Sequence, residues 1–423
     1  MSTFIYIKDI INYIRQKGFF HLLSANLLIQ VVSFASQLFV AGILSPDDIG
    51  RIKIIQTYLS IFSIVAGMGF NSSTLKLCSE NRTTEEKNSL FQSALFFTIL
   101  STICLYVIIL ILNIFGLFSS DKLIRWLIPL GLFPIISNSI FMIFVSFFQA
   151  SKKIKLISNL TISNKLISII AIVLFTYWAG IKGYYVAFNL SFLLMLFVSF
   201  RVYGYIKISK ILSTNNLSNF SIHWKYAKTS MLAYLLSEIS AFVDILLINF
   251  LINDMHQIGY YSFALTITVV IKIIPSTVQQ ITLPYFSSLS EQKEEFLKAF
   301  KRYNKLLYLI IAITLFAILI ITPFLLHWVF KGKYDPSLKY FPLLAIGWSL
   351  RMLSQLQNGA IFGLGKIHYN VYTSLITLIF NIIIISISIH YFGLMGAAYS
   401  SIFGGLIYAL SSLYYFRKAK NEM

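Results

Sequence analysis

Long apolar runs recur along the whole chain and are separated by short polar turns. The stretch LYLIIAITLFAILIITPFLL, residues 307–326, shows no alternation of apolar and polar positions. A run of about 20 such residues crosses the hydrocarbon core of a bilayer as an α-helix, whereas barrel strands are alternating runs of about 10 residues. The pattern therefore predicts an all-α polytopic membrane protein.

The polar turns divide the chain into twelve predicted spans. They lie at about 19–44, 52–75, 89–115, 124–149, 156–179, 183–204, 226–252, 258–286, 304–330, 337–363, 368–390 and 392–416. An even number of spans places both termini on the same side of the membrane. The preceding segment, 1–18, has Ile and Tyr at helical spacing among basic residues and is typical of a cytosolic interfacial helix.

The composition agrees with this prediction, since 57% of the residues are hydrophobic and only 12% are charged. The net charge of +19 raises the alternative of a nucleic-acid partner. However, when residues near the span ends are counted with the adjoining turn, 23 of the 34 Lys and Arg residues lie on the side of the N-terminus, 8 lie on the other side and 3 lie well inside spans. This distribution predicts cytosolic termini, and the basic excess then reflects topology, with no nucleic-acid partner expected.

Three pairs of turn segments indicate an internal repeat. ILSPDDIGRIKII is echoed by LINDMHQIGYYSF, with Gly50 matching Gly259 at an offset of 209. FFQASKKIKLISN and IFGLGKIHYNVYT match with Lys153 against Lys366 at an offset of 213. WAGIKGYYVAFNL and YFGLMGAAYSSIF match with Gly180 against Gly393, again at 213. Six spans per repeat means that both halves enter the membrane in the same sense.

The repeat predicts two parallel six-helix bundles around a central cavity. Transporters built from parallel repeats bind substrate near the midplane and alternate access by rocking the halves. The predicted organisation is an N-terminal segment, an N-terminal bundle, a cytosolic linker, a C-terminal bundle and a cytosolic tail. These regions cover residues 1–18, 19–204, 205–225, 226–416 and 417–423.

Several loose motifs carry a resemblance to a known superfamily. They are LSPDDIG, GMGF, IGYYSFALTI, LPYFSSLSE and GLGKI followed by GLMGAAYSSIFGG. With them the chain resembles the multidrug/oligosaccharidyl-lipid/polysaccharide (MOP) exporter superfamily over essentially its full length. Its length and twelve spans resemble the O-antigen flippases of the Wzx type, whereas lipid II flippases usually carry fourteen spans.

The resemblance implies a function and a location. It implies export of an undecaprenyl-pyrophosphate-linked oligosaccharide, such as an O-antigen or related lipopolysaccharide repeat unit, from the cytosolic to the periplasmic leaflet. It places the protein in the bacterial inner membrane, beside a polysaccharide polymerase and a chain-length regulator. It implies no enzyme activity, no catalytic residue and no cofactor, with H⁺ or Na⁺ as a coupling ion.

Five ionisable residues lie well inside predicted spans, namely Lys165, Glu238, Asp244, Lys272 and Arg351. A charge near the bilayer centre is costly, so such groups normally face protein or water. Glu238 and Lys272 lie 17 residues to either side of Met255, which makes a pair between them possible. We expect Arg351, Lys272 and Lys165 to bind the pyrophosphate; the alternative is that these charges form ion pairs that lock the two halves.

Polar residues of the first span give weaker candidates. Gln30 and Gln37, with Asn26 and Ser33, lie close to one helical face and are candidates for binding sugar hydroxyls, although such residues also join helices. Arg51 and Lys53 are predicted at the outer mouth, where they either receive the exported phosphate or form a solvated turn.

Asp244 and Glu238 are the candidates for cation coupling. A buried carboxylate can exchange protons or bind Na⁺. Their spacing of six residues places them about 120° apart on a helix, so they do not form a single two-carboxylate site. Asp244 is favoured because no cation lies at the matching depth of the eighth span.

The sequence gives little support to other classes of function. Cys78 and Cys104 do not make a disulfide framework, and the six histidines show no metal-binding spacing, so no metal site is predicted. A multidrug exporter of the same superfamily stays open as an alternative. A polysaccharide polymerase or an assembly scaffold is a second alternative.

Overall fold

A computed structural model describes residues 19–203, 215–289 and 292–422. The predicted interfacial segment 1–18 and the first part of the predicted linker lie outside these residues. The described chain is helical and contains no strand. Its helices are α1 Phe19–Ile43, α2 Pro46–Gly67, α3 Phe70–Ser79, α4 Thr84–Ile114, α5 Lys122–Leu132, α6 Pro134–Ala150, α7 Ile154–Tyr203, α8 Asn215–Leu251, α9 Met255–Ser288, α10 Lys293–Phe330, α11 Phe341–Met352, α12 Gln355–Gly363, α13 His368–Phe392 and α14 Leu394–Asn421.

The helices account for all twelve predicted spans. Among the described residues, nine helical segments are long and apolar enough to cross a membrane. One of these segments lies in α7, a broken helix that contains both the fifth and the sixth span. The first span is α1, whose side chains are described only in part, and the tenth span consists of α11 and α12 together. The all-α prediction with two six-helix bundles is confirmed, and we call α1–α7 the N-bundle and α8–α14 the C-bundle.

The two bundles share backbone details that follow from the internal repeat. Gly180 divides α7 with φ 58° and ψ −140°. Gly393 separates α13 from α14 with φ 56° and ψ −141°. This conformation strongly favours glycine, because a Cβ atom restricts positive φ. The same turn thus reverses the chain between the last two spans of each half.

Replacing Gly180 or Gly393 by alanine is expected to lower the thermal unfolding midpoint of the purified protein. A non-glycine residue in such a region costs about 1–3 kcal/mol, and at both positions the added Cβ meets open space, so backbone strain alone is tested. Gly42→Ala is the matched control, since its Cβ also meets open space without a positive φ. An unchanged midpoint in Gly180→Ala would show that the turn is not strained by a side chain.

One end of the molecule joins the two bundles tightly. There, α2 packs against α9, and a Cβ on Gly50 would lie 3.0 Å from the backbone N of Gly259. Ser45 caps the start of α2 by accepting from the Asp48 backbone N–H at 3.2 Å, and Pro46 occupies its first turn. We call this region, residues 41–51 with 254–261 and 333–334, the closed end.

Polar contacts across the closed end reinforce the packing. The Lys333 ammonium donates to the carbonyls of Ala41 and Gly42, both at 3.1 Å, and to that of Leu44. Burial lowers the pKa of Lys333, and the nearby carboxylate of Asp48 opposes that shift. A cation of the C-bundle therefore caps the C-terminus of α1 in the N-bundle.

Helix α8 contacts both bundles and changes direction between them. In its first half, buried His223 lies 2.8 Å from the Ser73 hydroxyl and 3.0 Å from the Leu90 carbonyl. In its second half, the Ser240 carbonyl accepts from the Asn381 amide of α13 at 3.3 Å. The helix is interrupted at Phe242, with φ −130° and ψ 18°. The interruption lies beside the charged residues of the site.

Candidate functional site

Five charged side chains from four helices form one electrostatic group, which we call the charge cluster. Arg351 interacts with both Glu238 and Asp244. Lys272 interacts with Glu238 and Arg351. The fifth member, Lys53, interacts with Asp244, Glu238 and Lys272. Three cations and two carboxylates leave the cluster with a formal charge of +1.

Arg351 has the best-defined surroundings in the charge cluster. It lies at the end of α11, where two turn residues separate α11 from α12. Its guanidinium carbon lies 4.2 Å from the ring centre of Tyr408 and 5.8 Å from that of Trp348. One N–H group donates to the Ser240 carbonyl at 3.2 Å. A guanidinium has five N–H donors, so this bond leaves others for a ligand.

Arg351 also lines a small cavity inside the C-bundle. The cavity has a volume of about 40 Å³ and includes Asp244, Asn381 and Ser400 in its lining. Gly347, Gly404 and Gly405 form part of the wall. Because these positions lack side chains, polar groups from four helices approach one another at the level of the charge cluster.

Lys272 lies on an exposed face of α9, within electrostatic range of Glu238 and Arg351. The predicted Glu238–Lys272 pair is therefore close, although no direct ion pair joins the two side chains in the described part of the chain. One helical turn to either side of Lys272, the hydroxyl groups of Thr268 and Ser276 donate to carbonyls of their own helix. Of these three side chains, Lys272 is the one best suited to bind an anion.

Asp244 is held by two hydrogen bonds and faces a cation from the other bundle. Its carboxylate accepts from the Tyr261 hydroxyl at 2.7 Å and from the Ile245 backbone N–H at 2.9 Å. The cation is Lys53, whose ammonium lies 5.0 Å from the ring centre of Phe242. The eighth span has no cation at the matching depth, but the second span supplies one.

Lys53 is the functional candidate that sequence reasoning misplaced at the outer mouth. Helix α2 begins at Pro46, not near residue 52, so Lys53 lies about two turns, or about 10 Å, inside the span. The signal was present in the sequence, because Ser45 followed by Pro46 and two Asp residues is a typical helix start.

Lys165 and Gln37 meet in a second cavity, which we call the N-bundle cavity. It has a volume of about 130 Å³ and is lined mainly by α1, α2 and α7. Lys53 also lines it, beside Gln56, whose amide donates to the Tyr184 hydroxyl at 2.7 Å. Gln30 lies outside the residues that line this cavity, and the side chain of Asn26 lies outside the described residues.

The structure therefore sorts the predicted site residues into two groups. Arg351, Lys272, Glu238 and Asp244 belong to the charge cluster. Lys165 and Gln37 belong to the N-bundle cavity, and Lys53 connects the two groups. Lys165 and Arg351 both lie well inside their predicted spans, but depth in the membrane does not determine which side of a bundle a residue faces.

Comparisons with known proteins agree with this architecture. The family model described as "Polysaccharide biosynthesis protein" matches residues 16–290. Membrane protein MJ1068 of Methanocaldococcus jannaschii is 22% identical, over 94% of this chain and 83% of its own length.

Solved structures of low sequence identity share the fold. The lipid II flippase MurJ, in an inward closed conformation, aligns with a TM-score of 0.77 and 17% identity, over 95% of this chain and 89% of MurJ. An inward-facing multidrug resistance transporter of the MATE family, in the MOP superfamily, aligns with a TM-score of 0.70 and 13% identity, over 95% of this chain and 98% of its own. The fold is thus that of the MOP superfamily, as the resemblance implied.

Proposed function

Because this chain belongs to the polysaccharide biosynthesis protein family, we propose that it is a flippase for a lipid-linked oligosaccharide of polysaccharide synthesis. The cargo is an undecaprenyl-pyrophosphate-linked unit, of the O-antigen or a related repeat, and it moves from the cytosolic to the periplasmic leaflet. The shared fold with the lipid II flippase MurJ supports transport of a lipid-linked glycan by this architecture.

The observation that carries the proposal is the cationic charge cluster, in which Lys53 of the N-bundle interacts with charged residues of the C-bundle. Arg351 offers a planar fork that matches phosphate oxygens, and Lys272 adds a point charge. Both lie within electrostatic range of each other, at the level of spans that are otherwise apolar. Lys165 lies in the N-bundle cavity, so we assign the pyrophosphate to Arg351 and Lys272.

The closed end gives the direction of access. With the termini cytosolic, as the distribution of Lys and Arg predicts, the closed end faces the periplasm. Cargo then enters from the cytosolic side, and rocking of the bundles separates Gly50 from Gly259 to release it. In this proposal the protein works in the bacterial inner membrane with a polysaccharide polymerase and a chain-length regulator.

Deletion of the gene in its host tests the proposed function. We expect loss of long-chain surface polysaccharide and accumulation of lipid-linked units on the cytosolic side of the membrane. The charge cluster disfavours cationic drugs as cargo, because three of its five members are cations. Drug hypersensitivity with intact surface polysaccharide would instead identify a multidrug exporter. Normal transport of lipid-linked units, together with short surface polysaccharide chains, would identify a polymerase.

Cation coupling through Asp244, with Glu238 nearby, is the second part of the proposal. Asp244→Asn is expected to reduce gradient-driven export about tenfold and to remove its response to a proton or sodium gradient, because an amide neither binds a proton near neutral pH nor attracts Na⁺ as a carboxylate does. Export would be measured in vesicles with and without each gradient. Asp335→Asn, outside the membrane-spanning helices, is the control, and a normal gradient response in Asp244→Asn would remove the coupling role.

A further inference from the structure

The N-bundle cavity has the composition of a small-ligand site. A water needs about 10–15 Å³, so a volume of about 130 Å³ holds a larger group. Its polar lining consists of ammonium, amide and hydroxyl groups, and no carboxylate is among the lining residues that the structure describes. A cavity with several hydrogen-bonding groups and a positive charge suits an anionic, hydroxyl-rich ligand.

Lys165 brings an unpaired charge to this cavity. Its ammonium forms no ion pair in the described part of the chain, whereas Lys53 interacts electrostatically with Asp244 and Glu238. A lysine inside a span normally has a partner, because an isolated charge at that depth is costly. An anion bound in the cavity would supply the missing partner.

A residue with an unsatisfied hydroxyl group also lines the cavity. Ser33 lines the cavity, and its buried hydroxyl oxygen has no hydrogen-bond partner within the described chain. A buried polar group without a partner is uncommon and disfavoured. Ser33 on α1 and Lys165 on α7 therefore provide two independent groups that a ligand would satisfy.

Aromatic rings complete the wall of the cavity. The rings of Tyr184 and Phe188 lie nearly parallel, 6.0 Å apart at their centres, and both line the cavity. The apolar face of a sugar ring can pack on such rings while the Gln37 and Gln56 amides bond its hydroxyl groups. Phe263 and Thr266 of α9 close one side, so the cavity is complete only while the two bundles are together.

We propose that the N-bundle cavity binds an acidic sugar of the transported glycan, with the sugar carboxylate against the Lys165 ammonium. This inference rests on the proposed function and names the class of glycan. A carboxylate suits the site better than the pyrophosphate does, because the site offers one unpaired cation and several amide and hydroxyl groups. The pyrophosphate carries more charge, and the guanidinium fork of Arg351 with Lys272 matches it.

Binding of defined oligosaccharides to the full chain in lipid nanodiscs tests the proposal. The probes are trigalacturonate, the neutral trisaccharide maltotriose and inorganic pyrophosphate. We expect Lys165→Gln to raise the dissociation constant for trigalacturonate about tenfold and to leave pyrophosphate binding unchanged. Lys165→Arg keeps the charge and should retain trigalacturonate binding. Lys182→Gln, on the same helix but stacked on Trp126 outside the cavity, is the matched control.

The outcomes separate this inference from the proposed function. Equal binding of trigalacturonate and maltotriose to the unmodified protein, or weaker pyrophosphate binding in Lys165→Gln, would overturn the acidic-sugar site. Arg351→Gln tests the pyrophosphate site of the proposed function, because it should weaken pyrophosphate binding and leave trigalacturonate binding intact. Should Lys165→Gln fail to fold, Gln37→Ala replaces it and should weaken binding of both trisaccharides.

Discussion

Arg351→Ala is expected to reduce export of the lipid-linked oligosaccharide about 100-fold. Hydrogen bonds to charged groups contribute about 1.5–3 kcal/mol each, and the proposed bidentate contact with the pyrophosphate contains two of them. Each 1.4 kcal/mol corresponds to about a tenfold change. Arg351→Lys keeps the charge but loses the planar fork, so we expect it to retain about a tenth of normal export.

The measurement is complementation of the deletion strain, with surface polysaccharide and lipid-linked intermediates quantified together. Arg351 also contacts the Ser240 carbonyl and the Tyr408 ring, so membrane level and thermal unfolding of each variant must be compared. Tyr408→Phe is the matched control, since it preserves the aromatic ring beneath the guanidinium. Near-normal export in both Arg351 variants would remove this residue from the cargo site.

Gly259→Ala is expected to open the closed end and reduce export at least about tenfold. The added Cβ would lie 2.0 Å from the Pro46 carbonyl oxygen and 2.3 Å from the carbonyl carbon. Both are backbone atoms, so the bundles must separate to relieve the clash. Overpacking costs about 1–3 kcal/mol, and about 2 kcal/mol, the middle of that range, changes the ratio of closed to open molecules about 30-fold.

Accessibility of the N-bundle cavity, which Gln56 lines, from the periplasmic side measures this effect. A cysteine introduced as Gln56→Cys, in a background without Cys78 and Cys104, should react faster with an impermeant maleimide when Gly259→Ala is present. Gly67→Ala is the control, because its Cβ would meet open space at the other end of α2. Unchanged labelling and export in Gly259→Ala would show that this contact does not close the outer end.

Much of the fold was predictable because it depends on local patterns. Apolar runs that are long enough to cross a bilayer as helices determine the spans, and the matched glycines determine where the chain reverses between two spans. Gly180 and Gly393 show this most clearly, since their backbone angles differ by only a few degrees. The sequence therefore predicted the two bundles and the repeat between them.

The site was predicted less completely, because it depends on how helices rotate and where they begin. Depth in the membrane predicted that Glu238 and Lys272 lie close together, and they are within electrostatic range of each other. Lys165 and Arg351, which have similar predicted depths, line different cavities. Lys53 was misplaced because the start of α2 was predicted too late. Tyr408 and Asn381 carried no sequence signal, since an aromatic or amide residue in a span usually serves packing.

Transport by the purified protein tests the central claim most directly. The protein would be reconstituted into liposomes that contain an undecaprenyl-pyrophosphate-linked oligosaccharide, and an external glycosidase would report how much glycan lies in the outer leaflet. We predict that the accessible fraction rises from about half toward completion with the unmodified protein, and that it stays at about half with Arg351→Ala. An accessible fraction that stays at about half with the folded, unmodified protein, under every ion gradient, would contradict the account.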